Sequence, residues 1–365
     1  KTLVAGVSAA LKANHVTLVS ARGVITGKNA EGYTVIANGE TFTGKRLLIA
    51  TGSSPAVPPI PGLKEGLASG FVCTNREILA LTEKPERLCV IGGGVIGLEL
   101  ASYFTSIGSQ VTVVEMLDHI AGENDAELVS ILKKGFEKRG VVFQLSARVT
   151  EVTGNAVKYE KDGVVGEVAC DKVLLSIGRR ANTGGIGLES IHVLTERGAV
   201  VTDSHMKTNQ PEVYAAGDVN GKSMLAHTAY REAEVAVNTM LGKKDTMRYE
   251  AVPGVLYTNP ELSAVGETEA SAKTKGLDAS CVKIPMRFSG RYLAENEGGD
   301  GIMKLVVNNQ TKQVLGAQML SNYSSEFIVT VGTFIELGLT LDEIKEIIFP
   351  HPTVSEIIRE AVFQY

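Results

Sequence analysis

The chain has no tryptophan, few aromatic residues of any kind and only four cysteines in 365 residues. The cysteines show no CxxC pair or other metal-type spacing, and they lie far apart at Cys73, Cys89, Cys170 and Cys281. This sparse usage argues against a disulfide-rich secreted fold and against a zinc site. It fits reduced, mostly buried thiols, although pairing between remote cysteines stays open. We therefore expect a cytoplasmic protein without a bound metal.

Long apolar runs and clusters of basic residues are absent too. No segment approaches the length needed to span a bilayer, so no membrane partner is expected. A formal net charge of −5 at pH 7 offers no basic field for nucleic acid. The 44% hydrophobic and 21% charged content are ordinary for a globular protein, and 365 residues predict two or three domains.

A glycine-rich loop gives the strongest functional signal. Residues 87–91, RLCVI, have the pattern of a buried strand and run directly into GGGVIG at 92–97. The following LELASYFTSIG predicts a helix that ends near Gly108, and QVTVVE predicts a second strand that closes on Glu115. A lone GxGxxG is a weak indicator. Between a strand and a helix, with an acidic residue about twenty positions on, it is typical of a dinucleotide-binding βαβ unit.

Each part of this unit has a separable physical role. Gly92 permits the tight turn, Gly94 lets the backbone approach a pyrophosphate, and Gly97 lets the helix pack close to the sheet. The helix N-terminus supplies unpaired amides and partial positive charge to the phosphates. Glu115 would accept hydrogen bonds from ribose hydroxyls and repel a 2′-phosphate, which predicts NAD rather than NADP. The alternative for Glu115 is an exposed carboxylate at a strand end.

Further segments indicate a second nucleotide-binding unit. KRLLIATGSSP at 45–55 and KVLLSIGRRAN at 172–182 each combine a basic residue, an apolar strand and a glycine loop, as in an internal repeat. EVYAAGDVNG at 212–221 predicts a short strand that delivers Asp218, and MLAHTAYREA then opens a helix. Asp218 is suited there to binding a sugar-like polyol, or it is a turn aspartate or helix cap.

The stretch FPHPTVSEII at 349–358 allows two interpretations. In the first, Pro352 and Thr353 open a short helix, and TVSE forms a capping box in which Glu356 reaches back to an unpaired amide. In the second, the prolines fix the backbone around His351, and Glu356 pairs with it as an acid–base dyad. The ten residues alone favour the capping box, because capping boxes are far commoner than catalytic dyads.

Taken together, the motifs resemble the pyridine nucleotide–disulfide oxidoreductases over essentially the whole chain. LIATGS, VIGGGVIGLELA, VVE, SIGRRAN, YAAGDV, MLAHTAYREA, YTNPELSAVG and HPTVSE occur in the family's order. The resemblance is greatest to the members that oxidise dihydrolipoamide. It implies an α/β fold with two Rossmann-like nucleotide-binding domains, the FAD one incomplete, and a C-terminal α+β dimerisation domain. It also implies FAD and NAD as cofactors.

The resemblance carries roles onto individual positions. It makes His351 the acid–base and Glu356 its partner, acting in the active site of the other subunit of a homodimer. One carboxylate has enough lone pairs to serve both a cap and a histidine. The matching FAD contacts are Gly23, Thr51, Gly52, Ser53, Gly217, Asp218, Met224, Leu225, Ala226 and His227. The matching NAD contacts are Gly92, Gly93, Gly94, Val95, Ile96, Gly97, Glu99, Glu115, Val149 and Gly178.

The chain departs from the family in one respect. The family's first FAD glycine loop and its CxxxxC redox disulfide lie upstream of the matching residues, and none of the four cysteines fits that motif. We therefore expect a family member without this N-terminal segment. By itself, the 365-residue polypeptide is expected to hold FAD poorly and not to turn over lipoamide, while its NAD unit still folds.

The resulting prediction divides the chain into four parts: the remainder of an FAD domain at 1–58, an NAD domain at 59–185, a return to the FAD domain at 186–252 and an interface domain at 253–365. The implied reaction is oxidation of protein-bound dihydrolipoamide with reduction of NAD. The implied partners are lipoyl domains of 2-oxo acid dehydrogenase or glycine cleavage complexes. The alternatives are a glutathione- or trypanothione-type reductase, which favours NADP, a mercuric reductase, which needs C-terminal cysteines, and a non-catalytic NAD-binding fragment.

Overall fold

The computed structural model describes residues 2–365, which form two compact units. Unit 1 comprises the residues up to Ser54 together with Arg180–Met247, and unit 2 comprises Pro55–Arg179 and Arg248–Tyr365. The expected boundaries at 58, 185 and 252 differ from these breaks by four, six and five residues, and the two-unit division joins the second and fourth expected parts. The four-part division itself stays a prediction. In the part of the chain that the structure describes, every helix is too short or too polar to cross a membrane.

The α/β fold class expected from the sequence is confirmed by the elements. The helices are α1 (Thr2–Ala13), α2 (Leu63–Ser69), α3 (Asn75–Leu79), α4 (Val95–Ser106), α5 (Ala126–Lys138), α6 (Ala226–Met240), α7 (Glu269–Thr274), α8 (Gly290–Glu295), α9 (Ser324–Leu337), α10 (Leu341–Lys345) and α11 (Ile357–Phe363). The strands up to residue 181 are β1 (Val24–Lys28), β2 (Tyr33–Ala37), β3 (Glu40–Gly44), β4 (Leu47–Ile49), β5 (Ser53–Pro55), β6 (Val72–Cys73), β7 (Arg87–Ile91), β8 (Gln110–Val114), β9 (Val142–Gln144), β10 (Arg148–Val152), β11 (Ala156–Lys161), β12 (Val164–Ala169), β13 (Lys172–Leu175) and β14 (Arg179–Ala181). The remaining strands are β15 (Thr195–Glu196), β16 (Ala199–Val200), β17 (Val213–Ala215), β18 (Gly254–Leu256), β19 (Glu261–Gly266), β20 (Ala279–Pro285), β21 (Ile302–Asn308) and β22 (Val314–Ser321).

The first part of unit 2 is built on a parallel sheet of five strands in the order β6-β13-β7-β8-β9. Its central strand β7 is buried over Leu88–Ile91. Helices cover both faces of such a sheet, so neither face of the strand is exposed to solvent. The chain passes from β7 through α4 to β8, which is the βαβ unit expected from the glycine loop. An antiparallel three-stranded sheet, β10-β11-β12, precedes the return strand β13.

The second part of unit 2 is an antiparallel sheet in the order β18-β19-β22-β21-β20. Strands β21 and β22 form the hairpin expected from the sequence, with Ile302 opposite Leu320. Helix α9 buries Phe327, Val331 and Phe334 on one face, at the spacing of an amphipathic helix, and these residues join the core of this part. The expectation of a C-terminal α+β arrangement is therefore confirmed.

Unit 1 is smaller, and in it β4 pairs with β17 in a parallel sheet of two strands. Unit 1 also contains a separate antiparallel sheet, β1-β2-β3, and the short β15-β16 ladder, while β5 pairs with β14 at its boundary. The core of unit 1 includes Ile25, Ile49 and Val213, whereas helix α1 buries no residue at all. The loops that follow β4 and β17 leave the same edge of the sheet, because the two strands are parallel neighbours.

A buried ion pair links the two parts of unit 2. Lys304 on β21 is 10% exposed at its side chain and donates to both carboxylate oxygens of Asp125, at 2.9 and 2.8 Å. Asp125 in turn caps α5 by accepting from the backbone N–H groups of Glu127 and Leu128. Burial opposes the charge on Lys304, but its bonds to Asp125 and Glu127 outweigh this effect and raise its pKa. The ammonium is therefore charged throughout the physiological range.

We expect Lys304→Ala to destabilise unit 2 by about 3 kcal/mol, because it leaves the buried Asp125 carboxylate without its cation. Lys283→Ala is the matched control, since Lys283 pairs with Glu127 at a half-exposed site. Its loss is expected to cost less than about 1 kcal/mol. Urea unfolding of both variants measures the difference. Equal losses of stability would contradict the assignment of Lys304 as the main link.

Candidate active site and nucleotide sites

The glycine loop after β7 has the backbone that the sequence predicts. Gly92 adopts φ 106°, and a Cβ there would lie 2.4 Å from the carbonyl oxygen of Ser176. A Cβ at Gly97 would lie 2.1 Å from the carbonyl oxygen of Gly92. Neither position has room for a side chain, so both glycines are required for the close approach of the turn and α4.

The N-terminus of α4 is open, and the helix's own first turn carries no compensating charge. Gly94 is the N-cap residue, and a Cβ built on it would meet nothing within 4 Å. No acidic residue occupies the first turn of this 12-residue helix. Its first backbone N–H groups and the positive end of its dipole therefore face a space that fits a dinucleotide pyrophosphate.

Glu115 lies directly after β8 and is oriented by the backbone. Its Oε2 accepts from the N–H of Gly93 at 2.6 Å, and its Oε1 accepts from the N–H of Leu117 at 2.8 Å. The glycine loop and the acidic residue are thus brought together, as the motif predicts. Each carboxylate oxygen retains a further lone pair, so the group still fits the hydroxyls of a ribose.

The remaining residues expected at the NAD site lie on separate elements of unit 2. Glu99 on α4 is partly buried, which raises its pKa, and its Oε1 accepts from the backbone N–H of Tyr257 at 2.9 Å. Glu99 and Ile96 line a groove of about 610 Å³. Val149 lies on β10 and is packed into the core beneath it. Gly178 follows β13 with φ 108° and open space around its Cβ position.

In unit 1 the structure joins two loops that are far apart in the sequence. The Ser53 hydroxyl after β4 donates to the carboxylate of Asp218 after β17. Thr51 in the same loop donates to the carbonyl oxygen of Asn182 at 2.8 Å. Gly52 between them adopts φ 70°, and a Cβ there would meet nothing within 4 Å. The loops form an open, polar edge that fits the sugar-like and phosphate portions of FAD.

Residues 224–227 form the start of the helix that follows this edge. Leu225 is the N-cap of α6, and no acidic residue occupies the first turn of this 15-residue helix. Ala226 and His227 are exposed, and Met224 is 38% exposed. Gly23 is exposed and lies immediately before β1. The uncompensated N-terminus of α6 fits an anionic or polar portion of FAD.

His351 and Glu356 form a close pair near the end of unit 2. The His351 Nδ1 lies 2.7 Å from Glu356 Oε2. The imidazole is 78% exposed at its side chain, whereas the glutamate side chain is 10% exposed. A buried carboxylate thus holds one nitrogen of an exposed ring. This arrangement fixes the tautomer that carries its proton on Nδ1 and presents Nε2 to the surroundings.

The capping-box interpretation of this stretch is wrong in two respects. Helix α11 begins at Ile357, so Pro352 and Thr353 do not open it. Only half of the box exists: the Glu356 N–H donates to Thr353 Oγ1 at 3.2 Å, and the Glu356 carboxylate bonds to the imidazole of His351. The carboxylate is directed to the imidazole, and the start of α11 has no side-chain cap hydrogen bond.

One site residue escaped the sequence interpretation. Glu232 looks like part of the solvated face of α6, next to Arg231 and Glu234, yet it is fully buried. The signal was its spacing, because Thr228, Glu232 and Val235 lie at i, i+4 and i+7, on the buried face of the helix.

The combination of two nucleotide sites with a histidine–carboxylate pair is typical of redox enzymes that bind two nucleotide cofactors. The family model "Pyridine nucleotide-disulphide oxidoreductase" matches residues 1–233, and the model for the dimerisation domain of that family matches residues 252–362. The chain belongs to the pyridine nucleotide–disulphide oxidoreductase family. It is a flavoprotein oxidoreductase that uses FAD and NAD, and it assembles as a homodimer through its C-terminal domain.

Curated relatives and solved structures agree with this assignment. The chain is 34% identical to dihydrolipoyl dehydrogenase of Mycoplasma pneumoniae, over 98% of this chain and 78% of the relative. It is 36% identical to dihydrolipoyl dehydrogenase of Bacillus subtilis, over 98% of this chain and 76% of the relative. The structure of LpdA from Mycobacterium tuberculosis superposes with a TM-score of 0.88 at 28% identity, covering 100% of this chain and 81% of the other. The HOCl-induced flavoprotein disulfide reductase RclA from Escherichia coli gives 0.86 at 28% identity, over 95% and 79%.

Proposed function

We propose that the protein is an NAD-dependent dihydrolipoyl dehydrogenase, which oxidises protein-bound dihydrolipoamide to lipoamide. The single observation that carries this function is the pairing of an exposed imidazole, His351, with a buried carboxylate, Glu356, at 2.7 Å. Oxidation of a dithiol needs a base, since a thiol attacks a disulfide only as its thiolate. The relatives named above, at 34% and 36% identity, are dihydrolipoyl dehydrogenases.

His351 is assigned the acid–base role at its Nε2. Its Nδ1 is engaged by Glu356, so the outward nitrogen accepts the proton of a substrate thiol and releases it to solvent once the substrate is oxidised. Glu356 stabilises the imidazolium that forms and keeps the ring oriented throughout. The high exposure of His351 supports a role in the active site of the partner subunit, because the ring meets few groups of its own chain.

FAD, when bound, supplies the two-electron acceptor between the thiols and NAD. Asp218 and Ser53 are assigned to its ribityl and pyrophosphate portions, and their mutual hydrogen bond supports a shared site. The family resemblance adds the neighbouring loop residues and the start of α6. This set of further FAD contacts consists of Gly23, Thr51, Gly52, Gly217, Met224, Leu225, Ala226 and His227.

The NAD site is assigned to the loop after β7. The open N-terminus of α4 would receive the pyrophosphate, and Glu115 would bind the adenosine ribose. Its two backbone hydrogen bonds support this role, since they hold the carboxylate in place before the nucleotide arrives. The remaining NAD contacts assigned by the resemblance are Gly92, Gly93, Gly94, Val95, Ile96, Gly97, Glu99, Val149 and Gly178.

The proposed macromolecular partners are lipoyl domains of 2-oxo acid dehydrogenase or glycine cleavage complexes. Such domains present dihydrolipoamide on a flexible arm, and an exposed imidazole is accessible to it. We also propose a cytoplasmic location. Its support is the state of the cysteines, since Cys73, Cys89, Cys170 and Cys281 are all free thiols.

The holoenzyme is expected to reduce NAD with dihydrolipoamide as the electron donor. The test measures NADH formation from dihydrolipoamide, with glutathione disulfide plus NADPH as the comparison reaction. The proposal predicts that the lipoamide reaction is faster by at least about two orders of magnitude, because the site selects both the dithiol and NAD. Faster turnover of glutathione disulfide with NADPH would overturn it.

A further inference from the structure

Glu232 is a fully buried carboxylate on α6, with 0% of its surface exposed. It occupies the helix face where Thr228 and Val235 are also buried. Burying a carboxylate is costly unless hydrogen bonds replace the lost water. A fully buried glutamate on the inner face of a helix therefore needs hydrogen-bond donors around its carboxylate.

The carboxylate of Glu232 holds the turn that carries Asp218. Its Oε2 accepts from the backbone N–H of Gly217 at 2.6 Å and from Nδ2 of Asn220 at 2.8 Å. These two donors lie on either side of Asp218, so one oxygen anchors both flanks. Gly217 adopts φ 79°, a conformation that a hydrogen bond to its N–H helps to maintain.

Other groups fix the same turn from different directions. Ser53 donates to the carboxylate of Asp218 itself. The Lys222 ammonium donates to the carbonyl oxygen of Thr202 at 2.8 Å, and the Lys222 N–H donates to the Asn220 side chain at 2.9 Å. Glu232 supplies the contact from α6, the helix whose N-terminus borders the same edge of the sheet. The carboxylate thereby ties the two FAD-facing elements together.

We propose that Glu232 is a positioning residue for FAD, which acts by holding Gly217 and Asn220 so that Asp218 faces the cofactor. This inference rests on the proposed FAD site. Both bonds end on one oxygen, so they require an acceptor at that point. A glutamine places a neutral amide oxygen there and keeps both bonds, whereas an alanine leaves two buried donors without a partner.

The test compares three variants after removal and readdition of FAD. Glu232→Ala is expected to weaken FAD binding by a factor on the order of 100, from two lost hydrogen bonds at buried donors. Glu232→Gln is expected to remain within about threefold of the unmodified protein, because the acceptor is retained. Glu234→Ala is the matched control on the same helix, since Glu234 is exposed. Flavin fluorescence titration gives the affinity, and the visible flavin spectrum reports the environment of the ring.

Each outcome decides between supporting and rejecting the inference. FAD affinity of Glu232→Ala equal to that of Glu234→Ala would overturn it. A Glu232→Gln variant as weak as Glu232→Ala would also overturn it, since the acceptor geometry would then be irrelevant. If Glu232→Ala does not fold, Asn220→Ala takes its place, with an expected weakening of about tenfold and rejection if affinity is unchanged. If the unmodified holoenzyme does not rebind FAD, the proposed function fails, which is distinguishable from failure of the Glu232 role.

Discussion

Replacing His351 by glutamine in the FAD-loaded enzyme is expected to slow dihydrolipoamide oxidation by roughly two to four orders of magnitude, the loss typical of removing a general acid–base. Glutamine keeps much of the size and polarity of the side chain but cannot accept a thiol proton at neutral pH. Glu356→Gln is expected to have a smaller effect, because the imidazole remains and loses only its orientation and charge stabilisation. Steady-state formation of NADH measures both variants.

Electron transfer from NADH through FAD to an artificial acceptor separates chemistry from folding. This reaction involves no thiol deprotonation. Removing the proton acceptor in His351→Gln is therefore expected to change the rate of this reaction by less than about twofold. His119→Gln is a matched control variant, since His119 also lies 2.6 Å from a carboxylate, but that of Asp118 is exposed whereas that of Glu356 is buried. A parallel loss of both activities in His351→Gln would mean that the pair is structural.

Local sequence signals were sufficient to predict the nucleotide-binding βαβ unit. The strand at 87–91 has the expected bounds, and the helix expected over LELASYFTSIG at 98–108 spans Val95–Ser106. An apolar run, a glycine loop and a helical period lie within about twenty consecutive residues, and each is governed by its own backbone preferences. The interaction of Glu115 with Gly93 follows from the same register, because β7 and β8 are parallel neighbours.

Contacts between distant segments were not predictable in the same way. The pairing of Ser53 with Asp218 depends on β4 and β17 lying side by side, a fact of topology that no local pattern carries. The spacing of Glu232 from Thr228 and Val235 indicates a shared helix face, but only the fold shows that this face of α6 meets the core. The capping box failed for a related reason, since the ten residues allow two directions for the Glu356 carboxylate and only the fold shows that it is directed to His351.

Changing the charge at the end of β8 is expected to alter nucleotide preference. A carboxylate about 4 Å from a 2′-phosphate costs on the order of 4 kcal/mol near a protein surface. We therefore expect the unmodified enzyme to favour NADH over NADPH by at least about 100-fold in kcat/KM. Glu115→Ala combined with Met116→Arg should bring the two nucleotides to within about tenfold, since Met116 is exposed and adjacent.

The loss of Glu115 also removes an acceptor from the N–H groups of Gly93 and Leu117, so part of any effect comes from a less ordered loop. Glu115→Gln removes the charge and keeps one of the two acceptor oxygens, so it disturbs the loop less than Glu115→Ala does. It is expected to improve NADPH use about tenfold while changing NADH use little, since repulsion acts only on the 2′-phosphate. Glu123→Ala removes an exposed carboxylate from the loop that follows β8 and should leave the NADH to NADPH ratio unchanged. Comparable kcat/KM values for NADH and NADPH in the unmodified enzyme would refute the role of Glu115 in discrimination.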